Sequence, residues 1–187
     1  MKKFLLLVAL FLINQLHSYE NKIDLLSLYK DLHANPELSY QEFETSEKLA
    51  NLLESIGYEV TRNVGGNGVV ALLKNGNGKN IMFRADMDGL PVEEKTGARY
   101  ASQKKVTNLD GEEVFTMHAC GHDVHMTVLI GVAEYLFENK SEWQGNLILV
   151  LEPAEEVSGG ARNMIKDGLF TRFPRPDYNL AFHVNAG

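Results

Sequence analysis

The chain has 187 residues, 44% apolar and 23% charged, with 18 basic against 25 acidic side chains and a net charge of −7. This is enough apolar material for one ordinary globular core. An acidic surface without a Lys/Arg cluster repels phosphate backbones, which argues against a nucleic-acid partner.

The first element in chain order is a targeting segment. Basic Met1-Lys2-Lys3 precedes an unbroken apolar run from Phe4 to Ile13, and polar Asn14 to Ser18 follows, ending on a small residue. That order matches a secretory signal peptide over residues 1–18, cleaved after Ser18. The apolar run falls well short of the roughly 20 residues that span a bilayer, so no stable membrane anchor is expected. The expectation is an exported protein, periplasmic or secreted. Its mature chain, residues 19–187, loses Lys2 and Lys3 and keeps 16 basic against 25 acidic side chains, a net charge of −9. Its one cysteine, Cys120, cannot form an internal disulfide and needs another use in an oxidising compartment.

Leu25, Leu28, Tyr29 and Leu32 fall at i, i+3, i+4 and i+7, one helical stripe that His33-Ala34-Asn35-Pro36 ends. Ser39 and Glu42 have the spacing of a capping box, Ser39 as N-cap and Glu42 at the third helical position. The stripe Leu49, Leu52, Leu53, Ile56 continues from it, and Gly57 closes that helix. Apolar runs at Glu59–Arg62, Val69–Leu73 and Ile81–Ala85 read as strands, separated by Gly-Asn punctuation. Val128, Leu129, Val132, Tyr135 and Leu136 mark a third helix, and Asn146–Leu151 reads as a strand buried on both faces. Ala161–Asp167 is a short helix ended by Gly168, and Leu180–Val184 a last strand. Strands interleaved with helices predict an α/β fold, a sheet flanked by helices. Asn185-Ala186-Gly187 follows the last strand with no closing helix, and the expectation is an incomplete catalytic unit.

The residues able to carry chemistry sit at strand ends and helix starts, where open α/β sheets bind ligands. Asp86 and Asp88, two apart beyond an apolar strand, would point to one side in extended backbone. They could bind a cation, orient a histidine that does, or form a plain polar exit to a turn. His118, Cys120, His122, Asp123 and His125 crowd into eight residues. Thiolate and imidazole suit zinc and similar metals; a Cys–His nucleophile pair is the rival use. Glu152, Glu155 and Glu156 follow the buried strand, and a cation would relieve their repulsion. Consecutive residues diverge, so one glutamate could bind metal while the other faces the attacking water. His183, alone in an apolar strand, gains weight only from the other sites.

Together these segments resemble the metal-dependent aminoacylase family that includes hippurate hydrolase, N-acyl-amino-acid amidohydrolases and plant auxin-conjugate (IAA-amino acid) hydrolases. The pieces are Leu32 to Ser39, Arg84 to Pro91, Met117 to Thr127, Glu152 to Gly160 and Phe182-His183-Val184, in the family's order and at similar spacing. The resemblance implies the helix-flanked mixed sheet of a zinc-peptidase-like catalytic domain, truncated before a lid and dimerisation domain. It implies two divalent metal ions, zinc, manganese, cobalt or nickel, with Cys120, His122, Glu156 and His183 as ligands. Glu155 would be the general base, and Asp88 would orient a ligand histidine. The chain departs from the family at Glu152, where glutamine is frequent, and in length. The lid after His183 and a later histidine ligand are missing, so a homodimer is implied for the full-length form only.

The leading expectation is an exported metallo-amidohydrolase acting on N-acyl amino acids or small peptides. The alternative is a truncated, catalytically inactive metal-binding remnant. A cysteine hydrolase using Cys120 is the third.

Overall fold

The structure, a computed structural model, describes residues 22–185; the predicted signal segment, residues 1–18, lies outside them. The first helix, α1, runs Leu25–Ala34 and starts under Asp24, whose carboxylate accepts from the Ser27 amide at 3.1 Å. α2 runs Phe43–Ile56, and Gly57 at φ 116° ends it as predicted.

The predicted capping box does not form. Ser39 turns its hydroxyl to Asp88 at 2.6 Å, and Glu42 turns inward, where it accepts from the Ala154 amide at 2.7 Å. Glu37 caps α2 instead, accepting from the Glu44 and Thr45 amides at 3.2 and 2.8 Å. A distant buried amide without a partner is costly, so it outbids the local pattern for the Glu42 carboxylate.

The strands are β1 (Glu59–Val64), β2 (Gly68–Asn75), β3 (Asn80–Asp86), β4 (Lys105–Thr107) and β5 (Glu113–Phe115). The long helix α3 (His122–Glu138) follows, then β6 (Gly145–Glu152), α4 (Gly160–Lys166) and β7 (Tyr178–Ala181). Five strands form one mixed sheet in the order β1-β2-β6-β3-β7. β6, β3 and β7 are parallel, while β1 and β2 run against their neighbours. The predicted helix-flanked α/β sheet is therefore present. The β4–β5 hairpin was not foreseen, since three-residue strands with Lys and Glu leave no periodicity to read.

Period-two alternation sends β2 and β6 into two cores. Val69, Ala71, Leu147, Leu149 and Leu151 meet α1, α2 and α3 through Leu28, Leu53, Met126, Leu129 and Ile130. Val70, Leu72, Ile148 and Val150 face the other way and meet Met164 and Leu169. Burial on both faces explains the unbroken apolar run at Asn146–Leu151.

β7 ends earlier than predicted. Its register with β3 closes at Arg84 and Ala181, so Phe182, His183 and Val184 leave the sheet rather than extend it. No helix among the described residues is long and apolar enough to cross a membrane.

Candidate metal centre

Parallel β3, β6 and β7 end side by side, and the N-terminus of α3 points at the same place. β3 and β6 stay in register through Asp86 and Glu152, and the Met87 amide donates to the Glu152 carbonyl at 3.0 Å. Asp86 and Asp88 therefore emerge beside the segment that carries Glu155 and Glu156.

That segment is a turn, and two buried carboxylates hold it. Glu42 takes the Ala154 amide, and Asp88 takes the Glu155 and Glu156 amides at 3.1 Å each. Ala154 sits at φ 49°, a left-handed conformation a non-glycine residue keeps only when its surroundings impose it. Gly160 closes the turn from behind, since a Cβ there would lie 1.6 Å from the Pro153 carbonyl oxygen. Gly160→Ala is expected to cost about 1–3 kcal/mol through overpacking, read as a lower melting temperature, and to disturb the Glu155–Glu156 turn.

His122 is the first residue of α3, is fully buried, and stands at the centre. Its Nδ1 lies 3.4 Å from Asp88. Its Nε2 lies 3.6 Å from Asp86, 3.6 Å from Glu156 and 3.9 Å from Glu155. Asp86 and Asp88 thus face one side, as their spacing suggested. The two glutamates do not diverge: the turn brings both onto the same ring nitrogen. Among the described residues neither nitrogen of His122 nor Glu156 Oε1 has a hydrogen-bond partner, although all three are buried. Orphaned buried polar atoms are rare and ask for a reason.

The charge balance points to the same reason. Of the carboxylates Asp86, Asp88, Glu152, Glu155 and Glu156 at this centre, three meet the guanidinium of Arg84, which is 2.6 Å from Glu152, 3.4 Å from Asp86 and 3.9 Å from Glu155. Burial works against charge on Asp86 and Asp88, but His122, with Arg84, His125 and Ser39, holds both below the usual carboxylate range. Burial and the neighbouring Asp86 push Glu155 up. Burial opposes protonation of His122, yet Asp88, Asp86 and Glu156 raise it. A site with this excess of carboxylate around an orphaned imidazole fits a cation.

Among the described residues, three sets of side chains each bring potential ligand atoms within 4.8 Å of one another: Cys120, His122 and His183; Asp86, His122 and His125; and His122, Glu155 and Glu156. All four expected ligands, Cys120, His122, Glu156 and His183, fall in these sets, as does Glu155. Cys120 Sγ is 3.3 Å from His183 Nε2. Burial and Glu156 push the thiol up to about 11, so in the free chain it is protonated. Gly121 between the ligands sits at φ 79°, and a Cβ there would meet Val184 at 2.3 Å. His183 is exposed, which excludes the bland role of a core histidine.

His118 enters none of these sets. It is buried, both ring nitrogens are unpartnered, and burial lowers its pKa to about 4. It lines, with Tyr29 and His33, a cleft of ≈ 430 Å³ that Cys120 and His183 also border. A second, mostly apolar cleft of ≈ 200 Å³, lined by Leu38, Leu90, Leu109 and Val157 among others, opens beside Glu156.

The sequence marked Glu42 only as a helix-capping residue and did not reveal the pairing of His33. His33 Nδ1 is 2.6 Å from Asp123 and its Nε2 3.1 Å from Glu94, all three buried. Glu94 also accepts from the Ser102 amide at 2.6 Å and from Thr96. The triad fixes the first turn of α3 against α1. Its members lie far apart in sequence, at positions 33, 94 and 123, and no local pattern pairs them.

A family model described as peptidase family M20/M25/M40 matches residues 82–187. Hippurate hydrolase of Campylobacter jejuni is 46% identical over 153 residues, 81% of this chain and 37% of that protein. An IAA-amino acid hydrolase of Arabidopsis thaliana is 37% identical over 144 residues, 77% of this chain and 31% of that protein. Among solved structures, a Bacillus subtilis protein described as a dinuclear metal binding peptidase from the M20 family superposes with a TM-score of 0.75 at 34% identity. That match covers 86% of this chain and 42% of the other. The chain thus spans less than half the length of these relatives.

Proposed function

We propose that this chain, which belongs to peptidase family M20/M25/M40, carries the metal-binding part of an active site that cleaves the amide bond of N-acyl amino acids or small peptides. The observation that carries the reading is buried His122, its nitrogens unpartnered, among Asp86, Asp88, Glu155 and Glu156. Cys120, His122, Glu156 and His183 would hold the two divalent ions. When bound, such ions polarise the scissile carbonyl and acidify water.

The chain's own residues supply the rest. Asp88 faces Nδ1 of His122 and leaves Nε2 to the carboxylate side, fixing which nitrogen serves as ligand. Glu155, partly exposed and 3.9 Å from His122 Nε2, takes a proton from the attacking water as its oxygen adds to the carbonyl carbon. When the C–N bond breaks, Glu155 returns that proton to the leaving amine. Arg84 lies within 3.9 Å of Glu155 and keeps its charged form in place. The apolar cleft beside Glu156 suits the acyl group. The hippurate and IAA-amino acid hydrolases among the relatives support an aromatic acyl amino acid as the first substrate to try. We further propose export, on the signal-like order of Met1 to Ser18.

A protonated thiol is a poor nucleophile, which counts against a cysteine hydrolase built on Cys120. The test is metal content of the purified chain together with hydrolysis of hippurate and N-acetyl amino acids, with and without chelator. Hydrolysis that survives chelation would overturn the mechanism, and bound metal without turnover would favour the inactive remnant. Glu155→Gln is expected to lower kcat about 10²–10⁴-fold while the metal stays bound.

A further inference from the structure

We infer that His125 is a positioning residue for the metal centre, setting the aim and tautomer of His183 through the Val184 peptide. His125 lies one turn after His122 on α3, so the two project from the same face. It is grouped with Asp86 and His122 close enough to surround an ion, yet both of its nitrogens are already engaged. Nδ1 is 2.6 Å from Asp86 Oδ1, and Nε2 accepts from the Val184 amide at 3.0 Å. An N–H only donates, so Nε2 carries the lone pair and Nδ1 the proton. The one lone pair a metal could use is spent on Val184.

Val184 passes the constraint on. Its carbonyl accepts from His183 Nδ1 at 2.6 Å, which places the proton on that nitrogen. The lone pair of His183 Nε2 is thereby left facing Cys120 Sγ at 3.3 Å. Among the described residues the sheet does not do this work: β7 ends at Ala181, it pairs with β3 alone, and His183 is exposed. The His125 ring also lies 4.7 Å from that of His183, centroid to centroid. Gly121 supplies the seat, since the space its missing Cβ leaves is filled by Val184 Cγ2. Asp86, His125 and the Val184 peptide thus form one chain that ends on a ligand.

The inference rests on the reading that Cys120 and His183 share a metal ion, and two measurements keep the two apart. Long-range proton–nitrogen NMR of the histidine rings in the metal-free chain reads the tautomer of His183 directly. It is expected to show the Nδ1 proton in the parent and in the control Val184→Ala, which changes the side chain but keeps the N–H, and a mixture in His125→Ala and in Val184→Pro, which removes the donating N–H. Cobalt(II) titration, followed by thiolate-to-cobalt absorption, is expected to show affinity about 10–100-fold weaker in both variants. His125→Gln, which keeps one donor and one acceptor, should recover most of it. An unchanged His183 tautomer and unchanged cobalt affinity in Val184→Pro would overturn the inference. A parent chain that takes up no cobalt while the tautomer shifts as described would overturn the metal reading and leave the positioning role standing.

Discussion

In His122→Ala, divalent metal affinity is expected to fall by more than about 100-fold, beyond the 10–100-fold usual for losing a group that merely orients a ligand. His122 is the one residue common to all three sets of potential ligands. It is also fully buried, so no neighbouring side chain can swing into its place without opening the core. The comparison that sharpens the result is Asp88→Asn, which keeps the imidazole and weakens its support together with that of the Glu155–Glu156 turn. The ordering expected is parent, then Asp88→Asn, then His122→Ala, measured by competition with a chromophoric chelator. Circular dichroism separates lost ligation from lost fold, because the alanine leaves Asp86, Asp88, Glu155 and Glu156 facing one another. Affinity for His122→Ala within threefold of the parent would sink the site as described.

His33→Gln is expected to cost about 3–5 kcal/mol of stability, the range for removing one partner of a buried ion pair. Burial disfavours the imidazolium, but hydrogen bonds and charge from Glu94 and Asp123 more than offset it, and the His33 pKa is raised. A group whose folded pKa is raised contributes stability that is fully present below its unfolded value, about 6.5, and is lost as pH rises through the folded value. The gap between parent and variant should therefore be widest at or below pH 6 and narrow on the alkaline side. Urea midpoints across that range give the measurement. A gap that widens with pH would contradict the protonated triad. Because Asp123 is the neighbour of His122 in the first turn of α3, the same variant should loosen the metal centre as well.

The fold was legible wherever burial writes a period into the sequence. The leucine stripes of α1 and α2 and the unbroken apolar run of β6 fall within a residue or two of the elements they predicted. The crowding of His118 to His125 and the adjacent glutamates located the site for the same kind of reason: costly groups packed together imply something that offsets the cost. What stayed hidden depends on partners distant in sequence. Glu42 carried a helix-capping pattern, and only the unpartnered amide of Ala154, far along the chain, explains why its carboxylate turned inward. The divergence expected of Glu155 and Glu156 assumed regular backbone, and the left-handed residue Ala154 removed that assumption. Likewise the end of β7 is set by where β3 stops offering partners, which no apolar run can announce.

Among the described residues β7 pairs with β3 alone and its side chains are exposed, so burial within this part of the sheet contributes little to keeping it docked. Its far end is tied down through Val184 and His183 instead. The amides of Tyr178 to Val184 are expected to exchange as one local opening unit, held by β3 on one side and by the His125–Val184–His183 contacts at the far end. A divalent ion shared by Cys120 and His183 would then act as a reversible cross-link, closing a long loop in a chain whose one cysteine has no disulfide partner. With Cys120 and His183 as the proposed ligands, metal binding and the docking of β7 would be a single equilibrium.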